Sequence, residues 1–108
     1  MAINIFRNIT ANLVTGTTVL YTAPLAYSGI VLMAQISNVT AGTVTASMFV
    51  RDVNLTLTSL ITNYKIPGND ALGVLSGKLV LQPGQSVVAS AAADNSLQLV
   101  MSVLESQN

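Results

Sequence analysis

The sequence contains no histidine, no cysteine and no tryptophan in 108 residues. Without imidazole or thiol, the usual transition-metal ligands, thiolate nucleophiles and every Ser-His triad are excluded. Four acidic residues remain, Asp52, Asp70, Asp94 and Glu105. A carboxylate pair of the glycosidase type needs two of them to converge across a cleft. All four fall near turns or the chain end, where Asp is favoured as a turn former. No catalytic, cofactor or metal residue is therefore assigned. Asn69-Asp70 and Asp94-Asn95 each offer only two adjacent oxygen side chains, too few for calcium, and read as turns. Residues Gly73 to Lys78 lack the spacing of a phosphate-binding loop.

Charge is also scarce. Charged side chains make up 7% of the chain, against roughly 25% in an ordinary soluble domain, and the formal net charge is zero. Arg7, Arg51, Lys65 and Lys78 are scattered, so the clustered cations that bind a phosphate backbone are missing and direct nucleic-acid binding is not expected. The longest apolar run, near Gly29 to Ile36, is far shorter than the roughly 20 residues of a spanning helix. Aromatics are 5%, too few for the girdles of a membrane barrel. The N-terminal residues show no signal-peptide pattern, which leads us to expect cytoplasmic synthesis.

Half the chain, 51%, is hydrophobic. Few charges on so apolar a chain leave little to keep copies apart. We therefore expect much of the surface to be covered by partners, as in an obligate oligomer or a subunit of a larger assembly.

The pattern along the chain is one of short alternating runs cut by Gly, Pro, Asn and Asp, and it is rich in Thr and Val. It predicts strands over 2–14, 17–22, 29–37, 43–51, 53–57, 60–66, 78–81, 86–91 and 97–104. A short helical turn is expected after Asp70. A hairpin is expected over Gly29–Arg51, because two adjacent runs flank a short Gly-containing turn. Gln82-Pro83-Gly84-Gln85 has Pro and Gly where a type II turn prefers them. The fold class is all-β: one domain over 1–108, an antiparallel β-sandwich of jelly-roll type with about eight short strands. Residues 1–12 could serve as an anchoring or exchange strand, given the Ile3, Ile5, Ile9 row.

Three further residues are candidates for a subunit interface. Val31 and Met33 lie opposite the Ile30, Leu32, Ala34, Ile36 face, and Phe49 sits on the polar parity of its strand. The competing assignment is a core that uses both faces of these strands. The sequons at Asn8, Asn38 and Asn54 carry little weight in a chain so rich in Asn and Thr.

One resemblance adds to this. The features are Tyr21-Thr22-Ala23-Pro24 closing an early strand, the apolar strand 29–36, and Phe49-Val50-Arg51-Asp52 closing a Thr-rich one. They continue with the Pro67-to-Leu72 loop and the block from Gly77 to Ala91, a strand, a Pro-Gly turn and a small-residue strand. In that order they resemble small β-sandwich virion proteins of tailed bacteriophages, including those of cyanobacteria. The resemblance implies a non-enzymatic structural subunit, commonly trimeric, located on the virion. A capsid decoration or cement protein bound to the major capsid protein is the leading expectation. A neck, tail or baseplate component is the alternative within that class, and a carbohydrate-binding adhesin module the alternative outside it.

Overall fold

A computed structural model describes residues 4–107. Nine strands follow one another: β1 (Asn4–Asn12), β2 (Thr18–Thr22), β3 (Tyr27–Asn38), β4 (Val44–Arg51), β5 (Leu57–Ile66), β6 (Ala71–Gly73), β7 (Leu79–Leu81), β8 (Ser86–Ala91) and β9 (Leu97–Gln107). They form a five-stranded sheet, with β6 and β7 paired end to end along the same strand β3 in the order β1-β9-β3-β6, and a four-stranded sheet in the order β2-β8-β4-β5. Every pairing is antiparallel. Strand β1 pairs with β9, β2 with β8, β3 with β6 and β7, and β4 with β5. The chain thus runs as a long double ribbon whose two arms are wound into facing sheets, which is the jelly-roll arrangement.

Inward positions of both sheets fill the space between them. Leu97, Leu99, Met101 and Val103 alternate inward from β9, and Val87, Ala89 and Ala91 from β8, all nearly or fully buried. This alternation is the period of a strand with one face on a core.

Several elements differ from expectation. Strands β3 and β4 are not a hairpin; they lie in different sheets. The pivot is Asn38, whose buried side chain donates to the carbonyls of Gly42 and Ile66 at 2.8 and 2.9 Å. Its oxygen accepts from the Thr40 amide and hydroxyl at 2.9 and 2.7 Å. Every polar site of this amide is occupied, so the chain can turn from one sheet to the other without leaving a buried polar group unpaired. The same bonds engage the Asn38 nitrogen and remove it as a glycosylation site. Among the described residues the one hairpin between consecutive strands is β4–β5. Residues 53–56 form its turn rather than a strand, and Leu57–Ile66 is continuous, bent by two register shifts against β4. Ala71–Gly73 is a short strand and not a helical turn, because its backbone pairs with Gln35–Ser37.

The Gln82–Gln85 turn is as expected: the Gln85 amide donates to the Gln82 carbonyl at 3.0 Å and Gly84 has φ +88°. A type II turn does not match the twist of a two-stranded hairpin. Here it carries the chain between sheets, from β7 to β8.

Candidate interaction surface

Strand registers and loop contacts bring three loops to one end of the 49 Å long molecule. They are the β2–β3 loop at Pro24 to Ala26, the β4–β5 turn at Asp52 to Thr56, and the Pro83-Gly84 turn. Hydrogen bonds brace them together. The Gly84 amide donates to the Ala23 carbonyl and the Ala23 amide to the Gln85 carbonyl, both at 2.9 Å. Within the β4–β5 turn the Leu55 amide donates to the Asp52 carbonyl, also at 2.9 Å, and the Val53 amide to the Asp52 carboxylate at 2.8 Å. This rigid end presents Leu25, Val53 and Leu55 at 81%, 68% and 68% exposure. Leu55 is held at φ +69°, a left-handed conformation that a leucine adopts at a cost of about 1–2 kcal/mol. A strained apolar side chain pointing into water stabilises nothing in the free chain.

Just below the loops, register aligns four apolar residues across the outer face of the five-stranded sheet. Phe6 opposes Leu104, Leu104 opposes Ile30, and Ile30 opposes Val80. Directly opposed residues share a face, so these side chains form one row from edge to edge. Phe6 is 75% and Val80 54% exposed. Leu25, Phe6, Val53, Leu55 and Val80 are the five most exposed large apolar side chains among the described residues, and all belong to this end.

The distribution of charge completes the surface. Arg7 and Glu105 pair with each other at 2.9 Å. Arg51 and Lys65 share the outward parity of the four-stranded sheet with Phe49, on β4 and its partner β5. Asp52, Asp70, Asp94 and Lys78 lie outside the strands. Among the described residues no strand residue on the outer face of the five-stranded sheet is charged; its polar positions are Asn, Ser, Thr and Gln, and Lys78 borders it beside Met33 and Gln35.

Glu105 is a buried carboxylate with two partners. It lies inward on β9, its side chain 3% exposed, beneath the edge strand β1. The Tyr21 hydroxyl reaches across from the other sheet and donates to Oε2 at 2.6 Å, while Arg7 Nε donates to Oε1. Gly29 makes this reach possible, because a Cβ there would stand 2.9 Å from the Tyr21 ring. Burial pushes the Glu105 carboxyl up, but the bonds from Tyr21 and Arg7 and the Arg7 charge outweigh it and hold the group below the usual range. Burial, and then the bond to Glu105 and its negative charge, push the Tyr21 phenol well above its ordinary value. This is a structural lock joining β1, β9 and β2. Among the described residues no three acidic side chains gather to hold a metal ion.

The candidates named from sequence are not gathered into one patch. Ile3 lies outside the described residues. Ile5 and Ile9 are half-buried on the inward side of β1, and Ile9 packs on the core. Val31 is fully buried in the core and offers no surface to a partner. A bulge between Val31 and Met33 flips the parity of β3, so Val31 faces in with Ala34 and Ile36, and Met33 faces out at 38% exposure. Phe49 faces out from the four-stranded sheet, half-buried beside the fully buried Val88. Phe6, Leu104, Ile30, Val80, Leu25 and Leu55 were missed. For Phe6 a signal existed, an aromatic on the Asn4, Asn8 parity, which is the argument that selected Phe49.

No protein-family model matches the chain, and no curated protein does. Among solved structures it is similar to a chain of the Bacillus endospore appendages, a family of disulfide-linked pili, with a TM-score of 0.59, 8% identity, and coverage of 98% of this chain and 88% of that one. Lesser similarity extends to a chain of the infectious bursal disease virus Gt strain, with a TM-score of 0.45, 12% identity, and coverage of 100% of this chain and 33% of that one. It extends also to the VP2 subviral particle of that virus, with a TM-score of 0.44, 12% identity, and coverage of 100% and 32%. At these identities the likeness is one of fold: the chain is an all-β antiparallel sandwich, of a kind shared with the appendage chain.

Proposed function

We propose that this chain is a non-enzymatic structural subunit that works by packing against copies of itself and against neighbouring proteins of a virion, most specifically as a decoration or cement subunit of the head shell. The observation that carries the reading is the concentration of its most exposed apolar side chains at one braced end, on a chain with 7% charge. Contiguous apolar surface with a rigid frame marks a protein interface. The strained Leu55 fits the same reading, since local strain is retained where a contact needs it. The order of strands and turns resembling phage virion proteins supports a virion location. The appendage chain that shares the fold belongs to a disulfide-linked pilus; these residues contain no cysteine and cannot assemble through disulfides.

Sedimentation of purified protein with empty head shells and, separately, with tails tests this. Saturable binding to shells, lost in Leu25→Lys and Leu55→Lys, is the expected result. Binding to tails alone would move the subunit to the tail apparatus. Micromolar binding of a glycan by a chain that ignores both particles would favour the adhesin alternative instead.

A further inference from the structure

We propose that the outer face of the five-stranded sheet is a self-association surface, and that the chain covering it is a second copy of this protein. The inference rests on the structural-subunit reading and names the partner for one of its surfaces. The Phe6–Leu104–Ile30–Val80 row crosses the whole sheet. The corresponding face of the other sheet is different. Its apolar row of Val19, Val88 and Phe49 is already partly closed, with Val88 fully buried, and Arg51 and Lys65 share that parity. The outer face of one sheet thus shields its apolar row and bears Arg51 and Lys65, while that of the other leaves its row open, with Lys78 at its border beside Met33 and Gln35 as the nearest cation.

Absence of charge selects the occupant. A partner presenting an ion to the Phe6–Leu104–Ile30–Val80 row would bury it against apolar side chains, which is strongly unfavourable. The same apolar row on a second copy meets the requirement, and at zero net charge two copies approach without long-range repulsion. Neighbouring Asn, Ser, Thr and Gln side chains supply donors and acceptors for a polar rim. The size also suits. Strands β1, β9 and β3, of 9, 11 and 12 residues, and the three-residue strands β6 and β7 that share the fourth column make a face of roughly 600 Å² in projection, at about 4.8 Å between strands and about 3.3 Å per residue. Its accessible area is larger, and so comes near the ~800 Å² that each partner contributes to a standard interface.

The test compares native mass and sedimentation of the wild-type chain, Phe6→Lys/Val80→Lys and the control Val39→Lys, each across a dilution series, with circular dichroism to verify folding. Both substituted face residues are more than half exposed, so the fold does not depend on them. Val39, 50% exposed, lies in the β3–β4 loop away from the row. The expected result is a wild-type multimer, a folded monomer for the double variant, and a multimer for the control. A double variant that keeps the wild-type mass overturns the assignment of this face but leaves the structural-subunit reading standing. A wild-type chain that is monomeric throughout overturns self-association itself, while shell binding remains to judge the subunit reading separately. Should the double variant fail to fold, Ser102→Lys, at the half-buried neighbouring row of the same face, gives the same two readings.

Discussion

Replacing Tyr21 with phenylalanine removes one atom from the lock that joins the two sheets. The ring keeps its place over Gly29, and the lost group is the hydroxyl that donates to Glu105 at 2.6 Å. Hydrogen bonds to charged groups contribute about 1.5–3 kcal/mol. The Glu105 side chain is 3% exposed, so water does not readily replace the missing donor. Arg7, 52% exposed, still holds the other carboxylate oxygen, which keeps the loss below that of an abandoned buried charge. We expect Tyr21→Phe to lower stability at neutral pH by about 1.5–3 kcal/mol, and the melting temperature by roughly 6–12 °C at about 4 °C per kcal/mol. Urea denaturation at matched protein concentration measures it. The pH profile adds a second reading. Glu105 has a folded pKa below its unfolded value, so its contribution is present above about pH 4.5 and is lost as the pH falls through the depressed value. Tyr21 has a folded pKa above its unfolded 10.0, so its contribution is full below that pH and is lost as the pH rises beyond it. In Tyr21→Phe the alkaline loss attached to this residue disappears and the acid loss begins at higher pH, because burial then opposes ionisation with less compensation. A stability change below about 0.5 kcal/mol with an unaltered pH profile would refute the assignment of the lock.

Three further substitutions test other parts of the account. Asn38→Ala removes the side-chain donor to the buried Ile66 carbonyl and leaves the Gly42 carbonyl only the Thr40 hydroxyl at 3.1 Å, and should cost about 1–3 kcal/mol by thermal denaturation; a loss under about 0.5 kcal/mol would deny it the pivot role. Gly29→Ala should cost about 1–3 kcal/mol by displacing the Tyr21 ring, and its effect should be non-additive with Tyr21→Phe in a double-mutant cycle. Leu55→Asn relieves the left-handed leucine and should raise the stability measured by urea denaturation by up to about 1 kcal/mol, while weakening shell binding; unchanged stability would mean that the φ of +69° stores no strain.

The class of fold was legible because β8 and β9 alternate cleanly and every turn with Pro-Gly or Asn-Asp chemistry fell where a strand ends. The winding was less legible. A short Gly-containing loop after β3 looks like a hairpin in one dimension, and only the three-dimensional position of Asn38, bonded to Ile66 twenty-eight residues on, sends β4 to the other sheet. The β3 bulge had the same effect on burial. With Leu32 inserted, the residues before and after it exchange faces, so period-2 reasoning placed Val31 on a surface that it does not reach. The interaction surface was hidden for a related reason. Phe6, Ile30, Val80 and Leu104 are separated in sequence and meet only through register, and Leu25 and Leu55 look like ordinary loop residues until the three loops are seen to interlock.

The most direct measurement of the central claim is the native mass of the wild-type chain across a dilution series, by multi-angle light scattering and sedimentation velocity. The account predicts a stable multiple of the 11.2 kDa chain that persists on dilution, three chains being the state that the phage resemblance implies. A well-behaved monomer at every concentration would contradict it, and would mean that so apolar and so sparsely charged a surface is tolerated by the isolated chain.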